Sequence, residues 1–355
     1  MLRIGLRIEP LDTLFFRDGR PFDGTPRAIS GLPLPQTLAG ALRTWLLREK
    51  GCDFARLAAD VKAGRTFAEA LSSQSDELQR IARLSVRGPW LCRPDGPLVP
   101  APAILRQVKR SDEIVRLAPL KDGLPGWQAL YPGMLPLWCK DRKPTEPVNG
   151  YLALDGLARV IEGGTPASTD IVDASELYDF DRRTGIVVGA ATQTAEEGQI
   201  YGVSLLALRQ DVSFYGEIAG DKEALQQVPA AAGVIPFGGE GRRVQVTPMD
   251  KPCAWPSATA KDGRSMLVLT APAPFGGWKP HEFAPVAAAV PGHVAVSGWD
   301  LARGGPKPNR FAVAAGSVYF FQQPVEGGPV CGSLCDGEDA AVGWGTYVEG
   351  GWNYA

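Results

Sequence analysis

The sequence lacks the motifs that identify several common enzyme classes. Its only two histidines, His281 and His293, lie in proline- and glycine-rich stretches, where a histidine is more often a surface or packing residue than a base. No G-x-S-x-G nucleophile elbow occurs, no glycine loop is followed by a Walker lysine, and no helix follows the C-terminal glycines. These absences disfavour serine hydrolases, P-loop nucleotidases and Rossmann dehydrogenases.

Metal-binding and membrane-spanning patterns are missing as well. The six cysteines form no CxxC pair, and the spacing of Cys331 and Cys335 does not suit a zinc site. No apolar run approaches the ~18–20 residues that span a bilayer, and the opening RIGLRIEP alternates instead of forming a signal peptide. We therefore expect a cytoplasmic protein with reduced thiols, no metal, no cofactor, no small-molecule substrate and no membrane contact.

Charge is divided unevenly along the chain. The net charge is −2, yet residues 1–150 carry 23 basic and 16 acidic groups, whereas residues 151–355 carry 14 and 23. A basic half is typical of proteins with a polyanionic partner, although charge also drifts by chance in many proteins. Both interpretations stay open at this point.

The first 50 residues predict a strand, a loop and a helix. Residues 2–9 alternate apolar and polar side chains before Pro10, which is the period of a half-buried strand. The loop LDTLFFRDGRPF follows, and then residues 36–46 repeat apolar side chains at helical spacing. Gln36, Gly40 and Arg43 share the opposite face of this helix, so a ligand could approach the backbone closely there.

The rest of the chain predicts an α+β protein with two β-rich units. Residues 53–84 are helical and resemble an insertion, whereas residues 85–150 are strand fragments that contain a basic cluster. A second strand-rich half begins near residue 185. We therefore predict two domains, residues 1–184 and residues 185–355.

Two kinds of residue cluster could carry function. Asp179 and Asp181 could serve glycosidic or nuclease acid–base chemistry, although a solvated turn explains them better. Glycine-rich segments place cations and flat rings beside bare backbone, which is typical of single-stranded RNA binding but equally of hairpins with core tryptophans. The cations are Arg242, Arg243, Lys307 and Arg310; the rings are Trp278, Trp299, Trp344 and Trp352; the glycines include Gly238, Gly239, Gly241, Gly343 and Gly345.

Several motifs resemble those of the third-subunit family of the type III-B CRISPR Cmr effector complex, a group of RAMP proteins. The most specific pair is EPLDTLFFRDGRPF with LPLPQTLAGALR, near the start of the chain. Further similar stretches are VRGPWL, RTGI, EEGQIYGVSLLALR, GGEGRRV, NRFAVAAGSVYFF and GWGTYVEGGW.

The resemblance implies a fold and a function. It implies two ferredoxin-like (RRM-type) domains that grip the 5′ tag of the CRISPR RNA without catalysis and contact the large polymerase-like subunit and the RAMP backbone subunits. Alternatives are a RAMP endoribonuclease that processes CRISPR RNA and the equivalent subunit of a type III-D complex. A family thumb hairpin is assigned, by charge alone, to residues 106–121.

The family's RNA-facing helix and loops can be carried onto this sequence. Gln36 stands where the family usually has a serine, which leaves Thr37 as the nearest hydroxyl at the helix start. The resulting candidate RNA-binding residues are Gln36, Thr37, Gly40, Arg43, Arg242, Arg243, Trp299, Lys307 and Arg310, together with Gly238, Gly239, Gly241, Gly343 and Gly345.

Overall fold

The computed structural model describes most of the chain. The described residues are 2–16, 27–122, 124–129, 131–139, 143–188, 194–300, 304–325 and 332–355. The second half of the LDTLFFRDGRPF loop and Cys331 therefore lie outside the described residues.

Helices are short except for the first. They are α1 (Pro35–Glu49), α2 (Phe54–Lys62), α3 (Phe67–Ser72), α4 (Asp76–Ala82), α5 (Leu154–Ile161), α6 (Lys222–Leu225) and α7 (Gly337–Ala341). The predicted first helix and the helical stretch after it are confirmed, and the second is divided into α2, α3 and α4 by capped turns. Asp53, Thr66 and Ser75 each accept a hydrogen bond from a first-turn backbone N–H, so each helix begins at a side-chain cap.

Strands make up most of the remaining regular structure. They are β1 (Leu2–Pro10), β2 (Arg27–Ile29), β3 (Ser85–Arg93), β4 (Gly96–Pro100), β5 (Leu105–Val108), β6 (Ile114–Arg116), β7 (Ala118–Pro119), β8 (Leu137–Trp138), β9 (Thr145–Pro147), β10 (Tyr151–Ala153), β11 (Ile171–Val172), β12 (Tyr178–Val188), β13 (Ala195–Leu208), β14 (Ser213–Gly220), β15 (Gly233–Pro236), β16 (Arg243–Pro248), β17 (Ser265–Leu269), β18 (Ala287–Ala289), β19 (His293–Val296), β20 (Trp299–Asp300), β21 (Gly305–Pro306), β22 (Arg310–Val313), β23 (Val318–Phe321) and β24 (Tyr347–Gly351).

By packing, the chain divides into two compact units, each assembled from three separate segments. The first unit contains Met1–Pro89, Leu177–Pro252 and Ala295–Arg310, and the second contains Trp90–Glu176, Cys253–Val294 and Phe311–Ala355. The domain boundary that the sequence suggested, between residues 184 and 185, stays a prediction. It falls within β12.

The first unit is built on an antiparallel sheet with β1 at its centre. β1 pairs with β14 on one side and β16 on the other, and the strand order across this unit is β3, β14, β1, β16, β15. Helix α1 packs on the sheet at Gly216 of β14, where an added Cβ would lie 2.8 Å from Leu38 Cδ2. Leu6 and Ile8 of β1 are fully buried, so the sequence's alternating strand forms the core of this unit.

A three-stranded sheet also belongs to the first unit. β12 and β13 form a long antiparallel hairpin, and the short β2 pairs parallel with β13. The strand-rich stretch predicted from about residue 185 begins earlier, at Tyr178, so Asp179 and Asp181 lie in a strand and not in the solvated turn expected from the sequence.

The second unit contains a four-stranded sheet of order β18, β23, β17, β24. Its aromatic core includes Tyr319, Phe320, Trp344 and Trp352, each exposed by 1% or less. The α+β composition expected from the sequence is therefore observed, with strands in the majority.

Candidate nucleic-acid interface

The start of α1 is tied to the segment that carries Lys307. Gln36 Nε2 donates a hydrogen bond of 2.5 Å to the backbone oxygen of Ser297. A Cβ added to Gly298 would lie 3.1 Å from Gln36 Nε2 and 3.8 Å from Lys307 Cδ, and the N–H of Lys307 donates to the oxygen of Gly298. Two of the predicted RNA-binding residues, Gln36 and Lys307, are therefore close neighbours in the first unit.

The first turn of α1 has no side-chain cap. Leu34 occupies the cap position, and the N–H of Thr37 bonds to its backbone oxygen at 2.9 Å. Neither Gln36 nor Thr37 caps the helix, so the hydroxyl cap considered from the sequence resemblance is missing here.

The remaining two candidates on α1 differ in accessibility. Gly40 is exposed, and a Cβ added there would meet nothing within 4 Å. The guanidinium of Arg43 lies 5.4 Å from the centre of the Phe67 ring of α3, in a cation–π contact. The helix thus presents bare backbone at Gly40, whereas Arg43 is half-buried against the helical insertion.

The glycine loop between β15 and β16 packs on the two phenylalanines of the opening motif. Gly238 has φ +85°, and an added Cβ would collide with the Phe15 backbone oxygen and approach the Phe16 ring at 2.8 Å. The N–H of Gly239 donates to that same Phe15 oxygen at 2.8 Å. Gly241 has φ +65° with open space around it, so in this loop it is Gly241 that lies at an open surface.

Two arginines follow this loop. Arg242 Nη1 bonds to Asp12 Oδ2 at 2.6 Å, and Arg242 Nε is buried without a hydrogen-bond partner among the described residues. A hydrogen bond from the backbone N–H of Thr13 and the positive charge of Arg242 hold the pKa of Asp12 below its usual value. Arg243 begins β16 and is exposed.

The other candidates of the first unit lie on its third segment. Trp299 pairs through its backbone with Pro306, so β20 and β21 form a small antiparallel ribbon. Lys307 and Arg310 are both exposed on the stretch that follows.

The last glycine candidates belong to the second unit and are surrounded by protein. Gly345 has φ +65°, and an added Cβ would lie 2.7 Å from Cys335 Sγ, while its N–H donates to Pro272. Gly343 has φ +95° and ends the turn after α7. Packing and a positive φ explain glycine at Gly345, and the positive φ explains it at Gly343, so RNA contact there stays a prediction.

The tryptophans near these glycines are also structural. Trp344 and Trp352 are buried, and Trp352 Nε1 donates to the Phe321 oxygen at 3.0 Å. Trp278 stacks on Tyr131 with ring centres 4.8 Å apart. Alternation and glycine content did not separate these core rings from exposed ones, because a buried indole and a stacking indole have the same sequence context.

The carboxylates proposed for acid–base chemistry are both ion-paired. Asp179 Oδ2 lies 3.3 Å from Arg209, and Asp181 Oδ2 lies 2.7 Å from Arg183. Among the described residues, no group of three His, Cys, Asp or Glu side chains could hold a metal ion. No described helix is long and apolar enough to cross a bilayer.

The basic stretch assigned to a thumb forms a small hairpin of β5 and β6 in the second unit. Arg106 bonds to the backbone oxygen of Thr145 at 3.2 Å, and Arg116 Nη2 contacts Met266 Sδ. Burial lowers the pKa of Arg116 to about 10. Part of the positive charge that suggested an RNA-facing hairpin is therefore buried inside the second unit.

Sequence reasoning did not identify the long-range contacts that hold the candidate site in place. Asp12, Phe15 and Ser297 position Arg242, the glycine loop and Gln36 respectively, and they are distant in sequence from what they contact. The only signal was indirect: Asp12 and Phe15 lie in the opening motif, which the sequence marked as unusual without showing its partner.

Comparison with known proteins identifies the family. The model of the CRISPR-associated protein family Cas_Cmr3 matches residues 6–352. A chain of the type III-B Cmr-beta complex bound to cognate target RNA and AMPPnP is similar in fold, with 15% identity, TM-score 0.53, and coverage of 89% of this chain and 86% of that one. The same complex bound to cognate target RNA gives 16% identity, TM-score 0.53 and the same coverage. No curated protein sequence matches significantly. Because the family model spans nearly the whole chain, this protein belongs to the Cas_Cmr3 family of CRISPR-associated proteins.

Proposed function

We propose that this chain is a non-catalytic RNA-binding subunit of a type III-B interference complex that grips the 5′ tag of the CRISPR RNA. The observation that carries the proposal is the family match over residues 6–352. The similar chains belong to complexes bound to target RNA, which supports RNA and neighbouring subunits as partners of this chain. We further propose that it docks the large polymerase-like subunit.

The surface of the first unit supports RNA as a ligand. Arg243 and Lys307 are exposed cations, and Gly40 and Gly241 are open positions where a strand could approach the backbone closely. Cations bind phosphates and bare backbone admits the sugar-phosphate chain, which are the requirements of single-stranded RNA binding.

Strand order supports a ferredoxin-like first unit. In β16–β1–β14–β3, helix α1 follows β1 and helix α6 follows β14, which is the β-α-β-β-α-β arrangement with long insertions. For the second unit we propose the same fold on the family resemblance alone.

The β12–β13 hairpin is a better thumb candidate than residues 106–121. Its strands are 11 and 14 residues long, whereas β5 and β6 have 4 and 3 residues. It also follows β3 and precedes β14 in the chain, so it is an insertion between two strands of the main sheet. A long two-stranded ribbon can extend farther from its sheet than a short one.

A non-catalytic role is supported by the state of the acidic pair. Asp179 and Asp181 each form an ion pair with an arginine at the surface. A general acid–base pair requires a carboxyl group whose environment favours proton transfer near neutral pH.

The proposal is tested by removing the chain from the assembled complex. Complexes purified with and without it are treated with a single-strand nuclease, and the 5′ end of the bound CRISPR RNA is mapped. We expect the tag to be protected only when the chain is present. Equal protection in its absence would contradict the proposal.

Cleavage by the protein alone provides the matching test for an enzyme. Precursor RNA is incubated with the full chain in the presence of a chelator, and the Asp179→Asn and Asp181→Asn variants serve as controls. We expect no specific product. Cleavage that one of these substitutions abolishes would establish an endoribonuclease instead.

A further inference from the structure

Phe311 is the most exposed large hydrophobic side chain in the described part of the protein, at 64%. It lies on β22, where the next two residues, Ala312 and Val313, are buried. Val313 exchanges backbone hydrogen bonds of 2.8 and 2.9 Å with Ala273. An anchored strand therefore holds the Phe311 ring at the surface.

The ring of His293 packs against Phe311. The ring centres are 5.3 Å apart, and the planes are nearly perpendicular at 83°. Such an edge-to-face contact orients the ring while covering at most one of its faces. Because His293 is itself exposed, the pair offers a flat apolar face and an imidazole at the same place on the surface.

Positive charge predominates in the sequence next to Phe311. Residues 283–325 contain three cations, Arg303, Lys307 and Arg310, and a single carboxylate, Asp300. This stretch stands out because residues 151–355 as a whole are acidic. This excess of positive charge along the sequence favours an anionic ligand over a basic or neutral protein surface.

We propose that Phe311 is a stacking platform for an unpaired base of single-stranded RNA, with His293 donating a hydrogen bond to that base or to the neighbouring phosphate. Successive strand residues project to opposite faces, so His293, rather than Arg310, is the polar group beside the ring. Base–aromatic stacking tolerates any sequence because every base has a flat face. The proposal rests on the proposed function and extends it to a residue that the sequence did not single out.

The test uses the full-length protein and a labelled, unstructured RNA of roughly 12 nucleotides, within the site sizes of single-strand binders. Fluorescence anisotropy gives the affinity at several salt concentrations for Phe311→Ala, Phe311→Leu, Phe311→Trp and His293→Ala. Trp138→Ala is the matched control, because Trp138 is also an exposed aromatic residue of the second unit. Unfolding curves check that each variant folds.

We expect Phe311→Ala and Phe311→Leu to weaken binding about ten-fold, whereas Phe311→Trp and Trp138→Ala keep the wild-type affinity. We expect His293→Ala to lose about three-fold, since one hydrogen bond is removed. The slope of log affinity against log salt stays unchanged in the Phe311 variants, because stacking displaces no counterions. Replacing a base near the site by 2-aminopurine adds a direct signal, since its fluorescence changes when it leaves the neighbouring bases and stacks on Phe311.

Each contrary outcome has a separate meaning. If wild type binds RNA and Phe311→Ala binds it equally well, the stacking proposal is overturned and the proposed function stands. If Phe311→Leu keeps full affinity, the contact is apolar rather than stacking, which also overturns the proposal. If Phe311→Ala binds RNA normally but is lost from the assembled complex, Phe311 docks a protein. If wild type binds no RNA, alone or in the complex, the proposed function fails first.

Discussion

Two glycine-rich segments that look alike in sequence have different surroundings in the structure. PFGGEGRRV, in the first unit, contains an open glycine at Gly241 and an exposed cation at Arg243. VGWGTYVEGGW, in the second unit, surrounds the buried Trp344, and its Gly350 lies against the backbone of Ile161. Glycine permits close approach in both cases, but protein fills the space at Gly350 of the second segment, whereas Gly241 of the first leaves room for a ligand.

Glycines therefore fall into two groups, according to what an added side chain would contact. A glycine whose Cβ would strike backbone is required for packing, because backbone cannot move aside as a flexible side chain can. A glycine with open space is required only by its φ angle or by something outside the chain. Measurements of stability and RNA affinity can separate glycines required for packing from glycines with open space around them.

The largest effect is expected for Gly350→Ala. An added Cβ would lie 2.7 Å from Ile161 Cα, so β24 and the end of α5 must separate. We expect a loss of about 3 kcal/mol in the free energy of unfolding, as in other overpacked cores. Chemical denaturation measures it, with Gly277→Ala as the control, since Gly277 has nothing within 4 Å. Equal stability of the two variants would contradict the packing described for the second unit.

Within the first segment, Gly238 and Gly241 should respond differently to alanine. Both have positive φ, but only Gly238 also meets Phe15 and Phe16. We expect Gly238→Ala to cost about 2–3 kcal/mol, through strain and collision together, and Gly241→Ala about 1 kcal/mol, through strain alone. Thermal unfolding ranks the two variants, and the reverse order would show that the loop does not rest on the opening motif.

Gln36→Ala should loosen the segment that carries Lys307. The substitution removes the hydrogen bond to Ser297, at a cost of about 1 kcal/mol. Hydrogen exchange should become faster at the N–H of Lys307, which bonds to Gly298. Thr37→Ala is the control, because the N–H of Thr37, not its hydroxyl, makes the bond to Leu34. Unchanged hydrogen exchange at the N–H of Lys307 would show that Gln36 does not hold this segment in place.

The smallest effect is expected at the Asp12–Arg242 pair. Asp12→Asn removes the carboxylate that competes with a phosphate for Arg242, so we expect RNA affinity to rise about three-fold, while Arg242→Gln lowers it. Affinity measured at two salt concentrations tests this. Weaker binding by Asp12→Asn would mean that Asp12 orients Arg242 for RNA instead.

The same pair has a defined pH dependence. Because the pKa of Asp12 is lower in the folded protein than its usual value, its stabilising effect is present above the unfolded pKa and is lost as the pH falls through the folded pKa. In Arg242→Gln, an NMR titration should find the pKa of Asp12 raised only in part, since the Thr13 N–H remains. Full recovery of the usual value would contradict the ranking of these two causes.

Local pattern was enough to predict the elements but not their partners. The alternation of β1 and the helical spacing of α1 were correct, because each element buries one face and its period shows in the sequence. The discontinuous units could not be predicted, since residues 295–310 join the first unit through contacts with residues far away in the chain, such as Gln36. The burial of Trp344 could not be predicted either, because glycine-rich loops precede both buried and exposed aromatic rings in the sequence.

We propose that the first unit contacts the 5′ tag of the CRISPR RNA through the face of α1 that contains Gly40. A photoreactive amino acid replacing Gly40 tests it directly, because the position is exposed and has open space for a side chain. The same replacement at Gly277, which is open in the second unit, is the control. After irradiation of the assembled complex, we expect a crosslink from position 40 to the tag nucleotides and none from position 277. Crosslinks from position 40 to protein only, or to RNA outside the tag, would contradict it.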